Sequence, residues 1–108
     1  MNKRVYMTVD VEAGATSFAC DFLRNFKLDK IKEVSITPAE YGGIVVSFFY
    51  ETYPNMFMKI DVKDAFCVGY RGEGPWGLHD IMIEAGFPEY TASRVFEISR
   101  YAETTLVK

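Results

Sequence analysis

The stretch that decides the fold is residues 44–62, IVVSFFYETYPNMFMKIDV. Its first part, Ile44 to Thr52, is rich in β-branched and aromatic residues, which favour strands. Its last part, Met56 to Val62, alternates apolar and polar side chains, and a period of two is the pattern of a strand with one buried face. Tyr53-Pro54-Asn55 between them is typical of a turn. The stretch therefore predicts a β-hairpin.

Upstream of the hairpin, the sequence predicts a strand followed by a helix. Apolar residues alternate with polar ones from Val5 to Val11, which indicates a half-buried strand. Gly14 breaks this pattern, and Thr16 or Ser17 is predicted to cap the helix. Three aromatic side chains recur on that helix at intervals of four residues, and we interpret them as a core stripe: Phe18, Phe22 and Phe26.

The remaining elements follow from the same two periodicities. A second strand around Val34 ends at Pro38, because proline cannot donate to a strand ladder. A short fifth strand is predicted over Ala65 to Tyr70. Two helices follow, from about Trp76 to Ala85 and from about Thr91 to Glu103. The predicted order is β-α-β-β-β-β-α-α.

The elements together predict the fold class. An antiparallel sheet of four to five strands, with helices packed on one face, satisfies both periodicities and defines an α+β fold. The length of 108 residues leaves room for one domain, so residues 1–108 are expected to form a single α+β domain.

Charge and composition narrow the classes of function. Twelve Lys and Arg against fifteen Asp and Glu give a net charge of −3, without a basic run, which disfavours nucleic-acid binding. No stretch approaches the roughly 18 apolar residues of a membrane span, and nothing at the start resembles a signal peptide, so a cytoplasmic protein without membrane contact is expected. Cys20 and Cys67 lack a metal or redox spacing and are interpreted as buried free thiols; no cofactor or metal is predicted.

Catalytic residues are scarce in this chain. His79 is the single histidine, and Asp80 follows it on the predicted helix. Neighbouring residues in a helix point about 100° apart, so this pair is not expected to form a dyad. A single histidine also needs a positioned partner to act as acid or base. His79 is therefore interpreted as a surface or helix-capping residue, and an enzyme is the weakest of the functional hypotheses.

The strongest local signal is the loop at 69–75, GYRGEGP. Glycines let the backbone approach another surface closely, and the loop runs into a helix whose free amides can hold a phosphate or carboxylate. Arginine adds a bidentate charge, and aromatic rings add stacking surfaces. The candidate ligand- or partner-binding residues are therefore Tyr70, Arg71, Gly72, Gly74 and Trp76.

Two interpretations of this loop stay open. The spacing is neither a Walker A motif nor a dinucleotide fingerprint, and Glu73 in the middle would repel an anion. The alternative to a functional loop is a tight strand-to-helix connection that needs glycine only for its geometry.

The stretch from Phe66 through Phe96 resembles a group of small, uncharacterised bacterial and phage proteins. Their signature is an aromatic residue, then Gly-Tyr-Gly-Gly-x-Gly-Pro-x-x-Leu, and an Ala and Phe on a following helix. Arg71 departs from the pattern, which usually has glycine there. The resemblance implies no activity, and its setting favours small inhibitors and accessory proteins. The matching positions are Phe66, Gly69, Tyr70, Gly72, Gly74, Pro75, Leu78, Ala92 and Phe96.

Two functions follow as hypotheses. The first is a small non-enzymatic interaction protein, such as a phage or mobile-element accessory factor or inhibitor that binds a host protein. The alternative is a small-ligand binder that holds a phosphate or nucleotide with the glycine-rich loop at 69–76. In addition, Val45 and Phe49 make the third strand apolar on both faces, which predicts a homodimer through the sheet.

Overall fold

The computed structural model describes residues 5–12, 14–40, 42–53 and 56–108. The described residues form five strands and three α-helices, with two short 3-10 helices. In chain order these elements are β1 (Val5–Glu12), α1 (Thr16–Arg24), a 3-10 helix (Leu28–Lys30), β2 (Ile31–Pro38), β3 (Ile44–Tyr53), β4 (Met56–Lys63), α2 (Glu73–Glu84), α3 (Glu89–Ala92), a second 3-10 helix (Ser93–Phe96) and β5 (Thr104–Val107).

The five strands form one mixed sheet in the order β1-β4-β3-β2-β5. β1 runs parallel to β4, and the other neighbours are antiparallel. The α+β class is therefore confirmed, whereas the prediction of a purely antiparallel sheet is wrong. The reason is the crossover through α1, which returns the chain to the same end of the sheet, so that β2 runs in the direction of β1. β3 is antiparallel to β2, and β4 is antiparallel to β3, so β4 runs parallel to β1.

The predicted fifth strand over Ala65 to Tyr70 is wrong, and so is the predicted order of elements. This segment is irregular, although Ala65, Phe66 and Val68 are buried. β1 already lies along the outer edge of β4, so no ladder position is left beside it. The polar backbone of the segment bonds elsewhere: the amide of Gly69 donates to the carbonyl of Val95 at 2.8 Å.

The last helix is also shorter than predicted, and a strand follows it. α3 ends at Ala92, a 3-10 turn ends at Phe96, and the chain then enters β5 instead of continuing as helix to Glu103. β5 pairs with β2, with Leu106 opposite Val34. Leu106 is buried in the core, which explains why this short apolar segment leaves the helix layer and completes the sheet.

The hairpin of β3 and β4 is confirmed over its described residues. Phe48 lies opposite Ile60 and Val46 opposite Val62, and all four side chains are buried. The predicted turn residues Pro54 and Asn55 lie outside the described residues. The cross-strand pairs put the alternating apolar residues of both strands on one face, where they join the helices in a single core.

Helix α1 differs from its prediction in two details. Ala15 is the N-cap residue and makes no side-chain cap, while the Thr16 hydroxyl donates to the carbonyl of Ala65 instead of capping its own helix. The phenylalanine stripe is only partly core: Phe22 and Phe26 are half-buried, but Phe18 is 57% exposed. The fully buried positions of this helix carry smaller side chains, namely Ala19, Cys20 and Leu23.

Candidate functional site

The loop at 69–72 packs against the segment that follows α3. Gly69 has a φ of +88° and bonds Val95 through its amide, and a Cβ atom there would stand 3.0 Å from the carbonyl oxygen of Ile98. A left-handed backbone and a close approach to another chain segment both require glycine. The loop is thereby held beside residues 95–98.

Two glycines of α2 serve close packing. A Cβ atom on Gly74 would stand 2.9 Å from the backbone nitrogen of Cys67, and one on Gly77 would stand 2.2 Å from Cγ2 of Thr16. The first turn of α2 therefore lies directly on the irregular segment, and its next turn lies directly on α1. Gly74 thus has a structural reason to be glycine, independent of any ligand.

The start of α2 is poorly suited to binding an anion. Gly72 is the N-cap residue without a side-chain cap, and Glu73 places a carboxylate in the first turn. An acidic side chain at this position interacts favourably with the helix dipole, and it would repel a phosphate. Pro75 lies in the first turn as predicted, although α2 begins at Glu73 instead of Trp76.

Arg71 lies over two aromatic rings. Its guanidinium carbon is 4.6 Å from the centre of the Phe96 ring and 5.9 Å from the centre of the Trp76 ring. The two rings contact each other, with centroids 4.6 Å apart. Arg71 is exposed and makes no hydrogen bond or ion pair with any residue that the structure describes. The cation–π contacts therefore leave the N–H groups of the guanidinium without a hydrogen-bond partner among the described residues.

A groove of about 280 Å³ is lined by the residues that precede Arg71 and follow Phe96 in the chain. Residues 68–70 form one wall and residues 97–101 form the other. Tyr70 and Tyr101 are exposed at its rim, and Arg100 donates from Nη2 to the Tyr101 hydroxyl at 2.9 Å. Burial and then the neighbouring Cys67 raise the pKa of Tyr70. We call Tyr70, Arg71, Trp76, Arg100 and Tyr101 the aromatic–arginine surface.

Below this surface lies His79, and its prediction as a surface or helix-capping residue is wrong. His79 is buried within α2, its Nδ1 is 3.0 Å from Oδ1 of Asp80, and its Nε2 is 3.0 Å from Oε1 of Glu89. Adjacent helix positions diverge by about 100°, which is why no dyad was expected, but the two side chains still bring Nδ1 and Oδ1 within hydrogen-bonding distance. The imidazole also contacts the Trp76 ring, with centroids 5.2 Å apart, and the Phe96 ring, at 5.5 Å.

The electrostatics of His79 favour its charged form. Burial alone would lower the pKa, but the hydrogen bonds to Glu89 and Asp80 outweigh it, so the pKa of His79 is raised. The hydrogen bond from His79, with one from Ser93, lowers the pKa of Glu89. Ser93 donates to Glu89 at 2.7 Å and not to His79, so the three residues do not form a nucleophile–base pair. Both ring nitrogens contact the protein's own carboxylates, which supports the packing of α2 against α3.

A second groove, of about 290 Å³, lies between α1 and α2. Trp76 lines it together with three carboxylates, from Asp21, Glu73 and Asp80. Arg24 also lines it, and this arginine is already paired with Glu84, at 2.8 Å between Nη2 and Oε2. Trp76 therefore stands between an acidic groove on one side and Arg71 on the other.

Both cysteines and the single histidine lie in the part of the chain that the structure describes. No group of three or more His, Cys, Asp or Glu side chains is arranged there to hold a metal ion. Cys20 and Cys67 are both free thiols. Cys20 is buried, and burial raises its pKa, whereas Cys67 is only half-buried and so departs from the prediction. Among the described residues, no helix is long and apolar enough to cross a membrane.

The structure brings three of the five predicted site residues to one exposed place. Tyr70 is 51% exposed, Trp76 is 43% exposed, and Arg71 stacks beside them. Gly72 and Gly74 contribute backbone geometry. Sequence reasoning missed residues that support or extend this surface: nothing in the local pattern pointed to Glu89, Arg100 or Tyr101, or to the contact of the buried Phe96 with Arg71.

The fold and this surface define a small α+β protein with a five-stranded mixed sheet and an exposed cluster of aromatic and arginine side chains. Comparisons with protein-family models, with curated proteins and with solved structures find no match for this chain. The resemblance to small bacterial and phage proteins therefore stays a prediction, and it rests on the motif residues between Phe66 and Phe96.

Proposed function

We propose that this chain is a small non-enzymatic interaction protein whose partner contacts the aromatic–arginine surface. The observation that carries the proposal is the exposed Arg71, whose guanidinium carbon lies over the Phe96 and Trp76 rings and whose N–H groups are unpaired among the described residues. Trp, Tyr and Arg are the residues most enriched at the energetic centres of protein interfaces. The surface consists of these three residue types, at positions where they are exposed in the free protein.

The surrounding structure supports the same proposal. The buried His79 packs against the Trp76 and Phe96 rings that lie beneath Arg71. This part of the surface is therefore preorganised. A preorganised surface loses less conformational entropy on binding. A role as a phage or mobile-element accessory factor or inhibitor of a host protein belongs to this proposal, and the motif resemblance is its only support.

Site-specific photocrosslinking tests the proposal. A photoreactive phenylalanine replaces Tyr101, which is 77% exposed, and in a matched control it replaces Val107, which is 68% exposed on β5. In cells that naturally produce the protein, we expect a discrete crosslinked protein from position 101 that is lost on Trp76→Ala and absent from position 107. Equal crosslinking from both positions, or none from 101, would contradict the proposal.

The alternative function is binding of a small anionic ligand. The groove of about 280 Å³ favours it, because Arg100 offers a charge beside two tyrosine rings. Thermal-shift screening with phosphate, nucleotides and cyclic nucleotides distinguishes the two functions. A ligand at 100 times its Kd should stabilise the protein by about 2.7 kcal/mol. The alternative requires such a shift in the wild type and its loss in Arg71→Ala and Arg100→Ala.

Homodimerisation through the sheet is a separate proposal. The face of the sheet opposite the core carries the half-buried Val45 and Phe49, and also the ion pair between Lys59 and Asp61. Such a mixed face resembles a solvated sheet as much as an interface. Sedimentation equilibrium decides: a monomer mass at all accessible concentrations would refute the dimer.

A further inference from the structure

Three described arginines differ in their partners. Arg24 is held by Glu84 through Nε at 3.0 Å and Nη2 at 2.8 Å. Arg71 has no carboxylate partner among the described residues, and Arg100 contacts the Tyr101 hydroxyl without a carboxylate. Arg71 and Arg100 both belong to the aromatic–arginine surface, where neither is engaged by a carboxylate of the described residues.

The N–H donors of Arg71 are available to an anion. The guanidinium carbon lies over the Phe96 and Trp76 rings, and its five N–H donors have no hydrogen-bond partner among the described residues. Two parallel donors of a guanidinium match the two oxygens of a carboxylate. The rings also limit the motion of the side chain, which lowers the entropic cost of forming that pair.

The surrounding charges favour one carboxylate over a polyanion. Glu73 lies two residues after Arg71, and Glu97 lines the neighbouring groove. These two carboxylates would repel a row of phosphates, and the chain has no basic run to compensate. A single carboxylate at Arg71, followed by an uncharged side chain over the groove, avoids both of them. The tyrosines at the groove rim then offer contact to an aromatic or aliphatic side chain.

We infer that the partner segment presents an Asp or Glu carboxylate to Arg71 and an adjacent aromatic or aliphatic side chain to the groove between residues 68–70 and 97–101. This inference rests on the proposed function and adds the chemistry of the partner. It assigns Arg71 the role of charge recognition, and it assigns Trp76 and Phe96 the role of supporting the guanidinium.

Peptide titrations observed by NMR test the inference. The probes are a blocked hexapeptide of alternating tyrosine and glutamate, its tyrosine and glutamine counterpart, and oligothymidylate. The readouts are the Arg71 Nε–Hε and Trp76 indole N–H resonances. We expect the glutamate peptide to shift both resonances saturably and to bind about fivefold more tightly than the glutamine peptide, the size expected for an exposed ion pair.

Variants of Arg71 test whether recognition of charge by this side chain, and not a general change in the protein, causes the preference for glutamate. Arg71→Gln should abolish the preference for glutamate, and Arg71→Lys should restore only part of it, because lysine lacks the planar fork. Arg24→Gln is the matched control and should leave the preference unchanged, since Arg24 is engaged by Glu84 on another side of α2. Because Arg71 is exposed, its variants should keep the wild-type pattern of the remaining resonances.

Several outcomes would overturn the inference. Equal binding of the glutamine peptide would show that Arg71 does not recognise a carboxylate. Tighter binding of oligothymidylate would show that the surface prefers nucleic acid to a peptide. No shift with any probe would show that the surface is not a binding site. The failure of the proposed function looks different. Photocrosslinking from position 101 that survives Arg71→Gln would retain a protein partner while rejecting the carboxylate, whereas no crosslink at all would reject both.

Discussion

The Nε2 atom of His79 lies 3.0 Å from Oε1 of Glu89, and this contact ties α2 to α3 directly beneath the exposed Trp76. His79 is buried while Glu89 is exposed, so the pair joins the core to the solvent. On its other side the imidazole meets Asp80 at 3.0 Å. A ring between two carboxylates is stabilised as a cation, and the packing of the aromatic–arginine surface therefore depends on pH.

The protein should be most stable in mildly acidic solution. The pKa of His79 is raised from about 6.5, so its contribution to stability is fully present below that value and is lost as the pH rises through the raised pKa. The pKa of Glu89 is lowered from about 4.5, so its contribution is present above that value and is lost as the pH falls through the lowered pKa. We expect Tm to be highest between these two values.

Because the chain has a single histidine, one NMR signal reports the titration of His79 without assignment. We expect its midpoint above 6.5 in the wild type and a lower midpoint in Glu89→Gln. The same variant should show a smaller loss of Tm between neutral and alkaline pH. A wild-type midpoint at or below 6.5, or a midpoint that Glu89→Gln leaves unchanged, would disprove the coupling.

The contact between α1 and α2 predicts the cost of a methyl group at Gly77. A Cβ atom there would stand 2.2 Å from Cγ2 of Thr16, and the hydrogen bond of the Thr16 hydroxyl to Ala65 holds that methyl in place. We expect Gly77→Ala to lower the free energy of unfolding by about 1–3 kcal/mol, although alanine favours helix by about 1 kcal/mol. Urea denaturation measures the change.

The control for this prediction removes only the obstructing methyl. Thr16→Ser keeps the hydroxyl and deletes Cγ2, and the other neighbours of a Cβ atom at position 77 stand at 3.4 Å. The double variant should therefore recover most of the stability lost in Gly77→Ala. Strictly additive effects of the two substitutions would show that Thr16 is not the obstacle.

Gly72 and Gly74 should respond differently to alanine. At Gly74 the added methyl meets the backbone of Cys67 at 2.9 Å, and a backbone cannot yield easily, so we expect a loss of about 1–3 kcal/mol. At Gly72 it meets the exposed ring of Tyr70 at 2.5 Å, and that ring can rotate away. Gly72→Ala should change stability by less than about 0.5 kcal/mol.

Chemical denaturation of the two variants provides the comparison, and Gly72→Ala should additionally shift the ring resonances of Tyr70. Equal losses of stability would mean that the loop, and not the Cys67 contact, sets the requirement for glycine.

The protein should be more stable with phenylalanine in place of Tyr50. Its side chain is 2% exposed, and its hydroxyl has no hydrogen-bond partner in the described part of the chain. Burial also raises the pKa of Tyr50. Since an unpaired buried hydroxyl is destabilising, Tyr50→Phe should increase the free energy of unfolding by about 1 kcal/mol. The matched control is Tyr90→Phe, at a side chain that is 78% exposed, where denaturation should show little change. A loss of stability in Tyr50→Phe would point to a partner for the hydroxyl.

Much of the fold could be predicted from local patterns. The β-branched and aromatic composition of β3 and the alternation of β4 predicted their pairing as a hairpin, and Pro75 marked the first turn of α2. The apolar residues Ala65, Phe66 and Val68 after β4 are buried, so this segment belongs to the core. It is not a strand, because an apolar pattern indicates which side chains face the core and not whether a neighbouring edge is free.

The candidate site was only half predictable. Tyr70, Arg71 and Trp76 were found because they sit on a glycine-rich loop next to a helix, which is a pattern within a few residues. The stack of Arg71 on Phe96 and the pair of His79 with Glu89 join residues that are far apart along the chain or belong to different helices. No local spacing encodes such contacts.

The sequence by itself determined the hairpin of β3 and β4 with the buried face of β4, where α2 begins to within one turn, and that an arginine and two aromatic residues border a glycine-rich loop. Only the tertiary structure decided that β1 lies parallel to β4, that Thr104–Val107 closes the other edge of the sheet, and that His79 joins two carboxylates beneath Trp76. The physical reason is that periodicity and propensity act between near neighbours in the chain. Strand order and the pairing of buried charges are set by the packing of all elements at once.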